Sequence, residues 1–263
     1  MRVGKPREAT TAICEAHADR IEVRGRDLTR DIVGCLSFTD YFFLLLTGRE
    51  PTETQRFFLD ALLNTIAEHG LVPTVQAARM TLAAEPDALQ AAVAAGLLGA
   101  GKVLLGTSEL CGKLLVEADG RVKAGTEPDA VAAALVQEIR ASGGALPGFG
   151  HPVHKTVDPR TVRLFELAEQ RGVAGRHIAM ARRIEKAVAD ARGKPLVMNV
   201  SLAIAAVLLD LDFPPNMIKA IPLLGRTASL LAHLAEEQER PIGFVLSEHA
   251  EAAITYRRDG GDQ

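Results

Sequence analysis

The chain has 263 residues, of which 48% are hydrophobic and 24% are charged, and its formal net charge is −3. This apolar content excludes global disorder. The balance of 30 basic against 33 acidic residues argues against a dedicated nucleic-acid-binding protein. Aromatic residues make up only 4% and Trp is absent. The core is therefore expected to consist of Ala, Leu, Val and Ile, and Ala and Leu favour helices.

The cysteine content and the lack of long uncharged stretches indicate a cytoplasmic protein. Cys14, Cys35 and Cys111 are widely spaced and form no CxxC motif, so we expect three reduced, buried thiols. The first 25 residues carry charges throughout and have no apolar region of a secretory signal. The uncharged stretches 88–101 and 195–209 are shorter than the roughly 20 residues that cross a bilayer. We expect a cytoplasmic protein without membrane contact.

Hydrophobic periodicity predicts an all-α protein with about a dozen helices, because sustained strand alternation is absent. Residues 1–27 are interpreted as a polar arm. Gly48 and Pro51 end one helix in the usual order of stop signals. The predicted helices lie at 29–36, 38–47, 52–68, on either side of Glu85-Pro86, from 107 to a turn at 118–120, and at 129–141, 158–172, 175–192, 196–209 and 216–238. The tail after Tyr256 is predicted to be disordered.

Residues 142–152 contain four glycines and two prolines, which predicts an ordered loop and not a helix. Such a loop exposes backbone N–H groups that suit phosphate or nucleotide moieties. An ordinary connection between helices would also explain it. Chemistry-bearing side chains crowd beside the loop: His151, His154, Lys155, Asp158 and Arg160. A histidine beside a glycine-rich turn, with an arginine nearby, predicts an acid or polarising group next to a carboxylate clamp.

Other histidines are less informative, and we assign no role to His17, His177 and His249, which lie in charged contexts where we expect them to be exposed. His69 ends a predicted helix, where the helix dipole favours its protonated form, although a structural cap would fit equally. His233 follows Arg226 by seven residues, which places both on one helix face if the helix is continuous. A metal site is not expected, since His69, His151 and His154 lack a carboxylate at a ligand-like offset.

The motif GFGHPVHKTVDPR at 148–160 resembles the signature of the citrate synthase superfamily. The short forms are the most similar, namely citryl-CoA lyase and the carboxy-terminal module of ATP citrate lyase. The resemblance covers most of residues 12–245. Further segments match in order and approximate spacing: AEHG at 67–70, GLLGAGKVLLG at 96–106, GKPLVMNV at 193–200 and LLGRTASLLAHLAEEQERP at 223–241.

The resemblance implies an all-α citrate-synthase-like fold with the site in a cleft between two domains. We expect a large helical domain over 1–105 and 213–263, and a small one over 106–212 that carries the motif. The resemblance also implies a homodimer or larger homo-oligomer. The implied chemistry joins or cleaves an acyl-CoA and a 2-oxo acid such as oxaloacetate, with the CoA thioester as substrate and no tightly bound cofactor.

The resemblance also carries residue roles. His69 matches the histidine that binds the hydroxyl or keto oxygen, and His151 matches the one that polarises the 2-oxo carbonyl. Arg160 and Arg226 match arginines that bind substrate carboxylates, and Arg240 matches one supplied across the dimer interface. Guanidinium groups bind carboxylates bidentately, which suits a substrate with three of them. The residues at the matched CoA positions are Pro147, Gly148, Phe149, Gly150, Lys155 and Lys194.

Two positions depart from the family pattern. Leu104 stands where synthases have an enol-stabilising histidine, which the short lyases also lack. Ser201 replaces the family aspartate that moves the methyl proton, and a serine hydroxyl is no base at neutral pH unless another group activates it. The next acid on that predicted helix, Asp210, lies nine residues on, about 13 Å along the axis at roughly 1.5 Å per residue.

Several functions therefore stay open. The first is a citryl-CoA lyase-like enzyme with an altered base, for which a separate CoA-ligase partner would supply the thioester. The second is a catalytically degenerate homologue that binds CoA or a polycarboxylate. A citrate synthase-type acyltransferase and a purely structural helical protein are further alternatives. Fold resemblance alone does not decide between them.

Overall fold

The structure is a computed structural model that describes residues 9–257. The described residues are mostly helical, so the predicted all-α, citrate-synthase-like class is confirmed. The helices are α1 Phe38–Thr47, α2 Glu53–Ala67, α3 Pro73–Ala84, α4 Leu89–Leu98, α5 Thr107–Lys123, α6 Pro128–Ala141, α7 Pro159–Gln170, α8 Arg176–Arg192, α9 Val200–Asp210, α10 Ala220–Glu239 and α11 Gly243–Ala253. The predicted disordered tail falls almost entirely outside the described residues.

The chain divides into two compact units, one ending at Asp60 and one beginning at Ala61. In the first unit, three short antiparallel strands precede a π-helical turn at Leu28–Ile32. The strands are β1 Cys14–Ala16, β2 Ile21–Val23 and β3 Arg26–Asp27, in the order β1-β2-β3. The interpretation of this segment as a polar arm is wrong for these residues, although most of them are exposed.

Helix α1 has the signals that the sequence indicated. Ser37 and Asp40 form a reciprocal capping box at its amino terminus. Gly48 ends it in the left-handed conformation with φ of 75°. A small core of this unit lies between the sheet, the π-helical turn and this helix, and it contains Val23, Ile32 and Leu44.

The second unit is organised around α9, which is buried along nearly its whole length. Helices α5, α7 and α8 pack against α9, and α6 packs against α8. A second group consists of α3, α4, α10 and α11, with a core of Val75, Leu82, Leu230 and other aliphatic side chains. The division into a large and a small domain at 105/106 and 212/213 stays a prediction.

The small-residue composition has a direct packing consequence at Gly96 of α4. A Cβ atom at this position would lie 2.8 Å from Leu230 Cδ1 and 2.8 Å from the Thr74 carbonyl oxygen. No side chain larger than hydrogen fits at that distance without moving backbone. Helix α4 therefore approaches its neighbours closely at Gly96.

Three local predictions are wrong. Helix α5 continues through the predicted turn at 118–120. Cys14 and Cys35 are exposed, so only Cys111 is the buried thiol that the sequence predicted, and burial raises its pKa. His177, which we expected in an exposed charged context, is buried at the start of α8. In residues 9–257 no helix is long and apolar enough to span a bilayer.

Candidate functional site

The glycine-rich loop between α6 and α7 is fixed on the helices beneath it. Gly148 has φ of +83°, and a Cβ there would lie 2.6 Å from Leu202 Cβ and 2.9 Å from Cys111 Sγ. Both the backbone conformation and the close approach require glycine. The Gly150 N–H donates to the Val197 carbonyl at 2.7 Å. The loop therefore lies directly over the start of α9 and presents the next residue, His151, at a defined place.

His151 is held in one protonation state by the backbone that follows it. Its Nδ1 accepts hydrogen bonds from the N–H groups of Val153 at 3.1 Å and His154 at 3.0 Å. A nitrogen that accepts is unprotonated, so these two backbone bonds favour the neutral ring with its proton on Nε2, against one Arg160 donor that lies 3.2 Å from Nε2. Burial, together with the nearby His154 and Arg160, lowers the pKa of His151. The ring is thus a neutral Nε2–H donor, which suits a group that polarises a carbonyl oxygen.

Arg160 is positioned by Asp158, which is fully buried and caps the amino terminus of α7. Asp158 Oδ1 accepts from Arg160 Nε, and Oδ2 accepts from an Arg160 terminal nitrogen, each at 2.9 Å. Oδ2 also accepts from the Val200 N–H at 3.0 Å. Burial alone would raise the pKa of Asp158, but these bonds and the Arg160 charge hold it below its usual range. The guanidinium is thereby fixed 3.2 Å from His151 Nε2.

His69 comes from a distant part of the sequence, just after α2, and reaches the same place. Its ring centroid lies 5.4 Å from that of His151 and 6.0 Å from that of His154. Burial and the positive charge of Arg160 lower the pKa of His69, so its ring is also neutral near pH 7. The structure therefore brings together the two histidines that the sequence singled out for catalysis.

The backbone of His69 is anchored by Glu68, a residue that the sequence analysis did not single out. Glu68 Oε1 accepts from the N–H groups of His69, at 2.8 Å, and of Gly70. Glu68 Oε2 accepts from Ser229 Oγ at 2.5 Å and from His233 Nε2 at 3.0 Å, both on α10. Against the effect of burial, these donors lower the pKa of Glu68. The matched AEHG segment contained this glutamate, but only tertiary contacts show what it binds.

Arg226 forms no ion pair with an acidic side chain among residues 9–257. Arg226 is 3% exposed. The Nε and one terminal nitrogen of its guanidinium group are buried and have no hydrogen-bond partner among the described residues. Burial lowers its pKa, and the negative charge of Glu68 only partly opposes this. The preceding residue, Gly225, packs against Ile66 and Ala67 at the end of α2, close in the chain to His69, and the Arg226 charge is among those that lower the pKa of His69. Buried guanidinium donors without a partner are costly, so this position suits an incoming carboxylate.

Ser201 lies on the first turn of α9, where the resemblance implied an aspartate, and the described residues place no other carboxylate there. Its N–H donates to Asn199 Oδ1, whose amide nitrogen in turn donates to the Gly150 carbonyl. The next acid, Asp210, is engaged elsewhere: it accepts from the Gly175 and Ile178 N–H groups and from the His177 ring. Asp210 therefore cannot serve as the missing acid.

The remaining predicted residues lie around this centre. Lys155 Nζ donates to the His151 carbonyl at 3.2 Å and lines a cavity of about 630 Å³ with Pro195 and Val197. Phe149 lines a second cavity of about 230 Å³ with Arg140, Gly144, Leu146 and Arg192. Pro147 and Lys194 flank these cavities along the chain, and Lys194 is exposed. The role of these residues in CoA binding stays a prediction.

Arg240 follows the last residue of α10 and is exposed. Its carbonyl accepts a hydrogen bond from Arg79 at 3.1 Å. Within the part of the chain that the structure describes, no contact joins its guanidinium to the three histidines. The predicted role across a dimer interface stays a prediction.

His69, His151 and His154 present ring nitrogens within 4.8 Å of one another, which raises the question of a metal ion. The residues fit poorly. The Nδ1 of His151 is occupied by two backbone donors, and its Nε2, which carries the proton, faces the Arg160 cation. A metal ligand needs an unprotonated nitrogen, and a cation repels a nearby cation. The expectation that the protein binds no metal stays a prediction.

Comparison with solved structures shows similarity to citryl-CoA lyase from Hydrogenobacter thermophilus. The TM-score is 0.84 at 29% identity, covering 98% of this chain and 97% of that one. ATP citrate lyase from Methanothrix soehngenii, solved with citrate and coenzyme A, gives a TM-score of 0.76 at 20% identity, over 97% of this chain and 42% of that one. This second likeness supports the fold alone.

The sequence comparisons agree. Citrate synthase of Synechocystis is 29% identical over 225 residues, which cover 81% of this chain and 54% of the relative. Citrate synthase of Saccharolobus solfataricus is 28% identical over 214 residues, 78% of this chain and 55% of the relative. The chain thus spans about half the length of these curated relatives. Since the family profile described as "Citrate synthase, C-terminal domain" matches residues 8–243, the chain belongs to the citrate synthase family.

Proposed function

We propose that the protein is a citryl-CoA lyase-like enzyme that cleaves, or forms, the carbon–carbon bond between an acyl-CoA and a 2-oxo acid such as oxaloacetate. The observation that carries the proposal is the arrangement of polarising and anion-binding groups. Neutral His69 and His151 lie with their rings 5.4 Å apart, beside Arg160 and the unpartnered, buried Arg226. The similarity to a citryl-CoA lyase over nearly its whole length supports the same assignment.

In this proposal the substrate carboxylates bind Arg226 and Arg160. Arg226 has free donors, and a carboxylate would satisfy them through charge-assisted hydrogen bonds. His151 Nε2–H donates to the oxygen that is the hydroxyl in the citryl group and the keto oxygen in the oxo acid. His69 binds the same oxygen from the other side. Preorganised donors of this type stabilise the charge that develops on that oxygen in the transition state.

The CoA part of the substrate is assigned to the glycine-rich loop and the two cavities beside it. Pro147, Gly148, Phe149 and Gly150 present the backbone, and Lys155 and Lys194 supply positive charge for phosphates. We further propose a cytoplasmic homodimer that receives its thioester as a substrate, with no tightly bound cofactor. A separate CoA-ligase partner would supply that thioester.

Position 201 favours a second candidate, a degenerate homologue that binds CoA or a polycarboxylate without turnover. A serine there leaves the family's proton-transfer carboxylate unreplaced, and loss of a general base costs about 10²–10⁴-fold in rate. Ligand binding alone does not separate the two candidates, because ligands stabilise a protein whether or not it turns them over.

The test combines binding with turnover. Thermal unfolding is followed with CoA, acetyl-CoA, citrate and oxaloacetate, and citryl-CoA cleavage is measured for wild type and Ser201→Asp. We expect citrate or oxaloacetate to raise the unfolding temperature, wild type to cleave citryl-CoA, and Ser201→Asp to cleave it faster. Binding without cleavage by either protein supports the degenerate homologue. If the protein shows no ligand binding and no cleavage, both candidates are contradicted.

A further inference from the structure

Among the described residues, the carboxylates that hold the site together are those of Asp158 and Glu68, and neither is free to move a proton. Each oxygen of Asp158 accepts two hydrogen bonds, from Arg160 and from backbone N–H groups. Each oxygen of Glu68 likewise accepts two. For both groups these donors outweigh burial and lower the pKa. They are fixed anions that orient other groups, not bases for a substrate.

His151 is excluded as a proton acceptor for a different reason. Its Nδ1 faces the N–H groups of Val153 and His154, and its Nε2 lies 3.2 Å from an Arg160 nitrogen, so protein donors face both ring nitrogens and neither is open to a substrate proton. The Ser201 hydroxyl has no hydrogen bond to a basic group within residues 9–257, so no such group activates it as a base. Because the proposed function assigns His69 to the substrate oxygen, His154 is the ring of the three that remains for proton transfer.

His154 meets the requirements. Its ring is stacked on that of His151, with centroids 4.4 Å apart and an angle of 30° between the planes, and it lies 6.0 Å from the His69 ring. Its backbone N–H is bound to His151, which fixes the position of the residue. Its ring nitrogens have no hydrogen-bond partner among the described residues, and the side chain is half-buried. It is an imidazole that faces the site and is not engaged in holding the structure.

The charged and titratable groups around this ring are compatible with such a role. His69 and His151 are the imidazoles next to it, and both have lowered pKa values, so they are neutral near pH 7. Lys155 directs its ammonium to the His151 carbonyl, and Arg160 is paired with Asp158. An imidazole whose ring nitrogens are not bound by the protein can accept a proton and return it, as general acid–base catalysis requires.

We propose that His154 is a further catalytic residue, the one that accepts and returns the proton in carbon–carbon cleavage. The proposal rests on the proposed function. Neutral His154 takes the proton of the citryl hydroxyl as the carbon–carbon bond breaks. The hydroxyl oxygen becomes the keto oxygen of the oxo acid, and the electron pair of the broken bond passes to the thioester as an enolate. The imidazolium then gives the proton to the enolate carbon, which yields the acyl-CoA and regenerates the neutral ring.

The assignment explains how a chain with serine at position 201 can still be active, since the acid–base group lies on the motif loop instead of α9. It also separates the two neighbouring histidines of the motif by role. His151 donates to oxygen and keeps its proton, whereas His154 exchanges its proton with the substrate. Both roles follow from which ring nitrogens the surrounding backbone occupies.

The experiment compares wild type, His154→Gln, His154→Asn and the control His249→Gln, which changes an exposed histidine of α11. Citryl-CoA cleavage is measured together with the citrate-induced shift in unfolding temperature. We expect both His154 variants to lose about 10²–10⁴-fold in kcat, with the citrate shift retained and the control unchanged. Exchange of acetyl-CoA methyl protons with deuterated water in the presence of oxaloacetate should fall equally.

The contradicting outcomes are distinct. Wild-type kcat in either His154 variant overturns the assignment while leaving the proposed function intact. Lost cleavage together with a lost citrate shift also overturns it, because His154 would then serve binding or folding. A wild-type protein that does not cleave citryl-CoA overturns the proposed function itself, and the role of His154 with it.

Discussion

Two buried arginines of the second unit are in opposite electrostatic situations. Arg79 is 2% exposed and donates to Glu237 at 2.6 Å and to Glu236 at 2.8 Å. Arg226 is equally buried, and two of its nitrogens have no partner. Breaking a buried pair is costly, whereas an unpaired buried cation is itself a cost of folding. The sequence showed both as arginines on helices, and only burial and partners tell them apart.

Replacing Arg226 should therefore separate binding from stability. We predict that Arg226→Met leaves the free energy of unfolding unchanged or raises it, because an unpaired buried charge is removed. The same change should abolish the stabilisation by citrate. Denaturant unfolding with and without citrate measures both. A large loss of stability in the absence of ligand would show that Arg226 is paired and structural.

The matched substitution at Arg79 should behave in the opposite way. Arg79→Met leaves the buried Glu237 carboxylate without its cationic partner. We therefore predict a loss of about 3–5 kcal/mol in the free energy of unfolding. Urea denaturation measures it under the conditions used for Arg226→Met. Equal stability of the two variants would contradict the distinction between them.

The lowered pKa of His151 predicts a pH dependence of stability. In the unfolded chain its pKa is about 6.5, and in the folded chain it is lower. The unfolded state therefore binds more protons as pH falls through this range, so the contribution of His151 to stability declines below about pH 6.5. We predict that the stability difference between wild type and His151→Gln shrinks from pH 7.5 to 5.5. A difference that stays constant or grows contradicts it.

Helix α10 organises the site from one face. Arg226, Ser229, His233 and Glu237 are spaced three or four residues apart, so they lie along one side of the helix. Ser229 and His233 bind Glu68, and Glu237 binds Arg79. His233 Nδ1 lies 3.4 Å from an Arg79 nitrogen, which leaves its Nε2–H to donate to Glu68. The prediction from spacing that Arg226 and His233 share a face is confirmed.

This arrangement predicts an effect at a distance from the chemistry. Glu68→Ala removes the acceptor for the His69 and Gly70 N–H groups, so His69 should lose its fixed position. We predict a fall of about 10- to 100-fold in kcat/KM for cleavage, since small misplacements of catalytic groups have effects of this order. Glu239→Ala, at the carboxy-terminal end of α10, is the control. Steady-state kinetics of both variants decide it, and equal kinetics would contradict the positioning role.

Two local elements could not be predicted from the sequence, namely the uninterrupted α5 and the three short strands. The turn predicted at 118–120 is helical because Ala118 is buried and Asp119 pairs with Lys123 and Arg176. Gly120 in a helix costs only about 1 kcal/mol against Ala, so tertiary contacts prevail. The strands at the amino terminus are two or three residues long, too short for alternation to reveal them. Helices with clear stop signals, such as α1, were predictable.

The predicted role of Arg240 concerns the oligomeric state of the protein. Over residues 9–257, the structure shows no contact between Arg240 and the three histidines of its own chain, so the predicted role of Arg240 requires a second copy. We predict a homodimer or larger homo-oligomer at working concentration. Multi-angle light scattering measures the mass. A monomer would contradict the role of Arg240, whereas an oligomer in which Arg240→Ala preserves full activity would contradict it in another way.

The site residues named by the resemblance, His69, His151, Arg160 and Arg226, do converge, although they lie up to 157 positions apart in sequence. The anchoring of His69 by Glu68 and the proposed role of His154 depend on tertiary contacts that the sequence pattern does not show. Sequence therefore indicated which groups the site contains, and the structure showed which of them are free to act.

The most direct test of the account is the fate of citryl-CoA incubated with the purified protein. We predict equal amounts of acetyl-CoA and oxaloacetate, with strongly reduced formation of both by Arg226→Met and His151→Gln. Product analysis by chromatography distinguishes cleavage from simple thioester hydrolysis. Citryl-CoA that stays intact, or that yields only citrate and CoA at the rate seen without protein, would contradict the account.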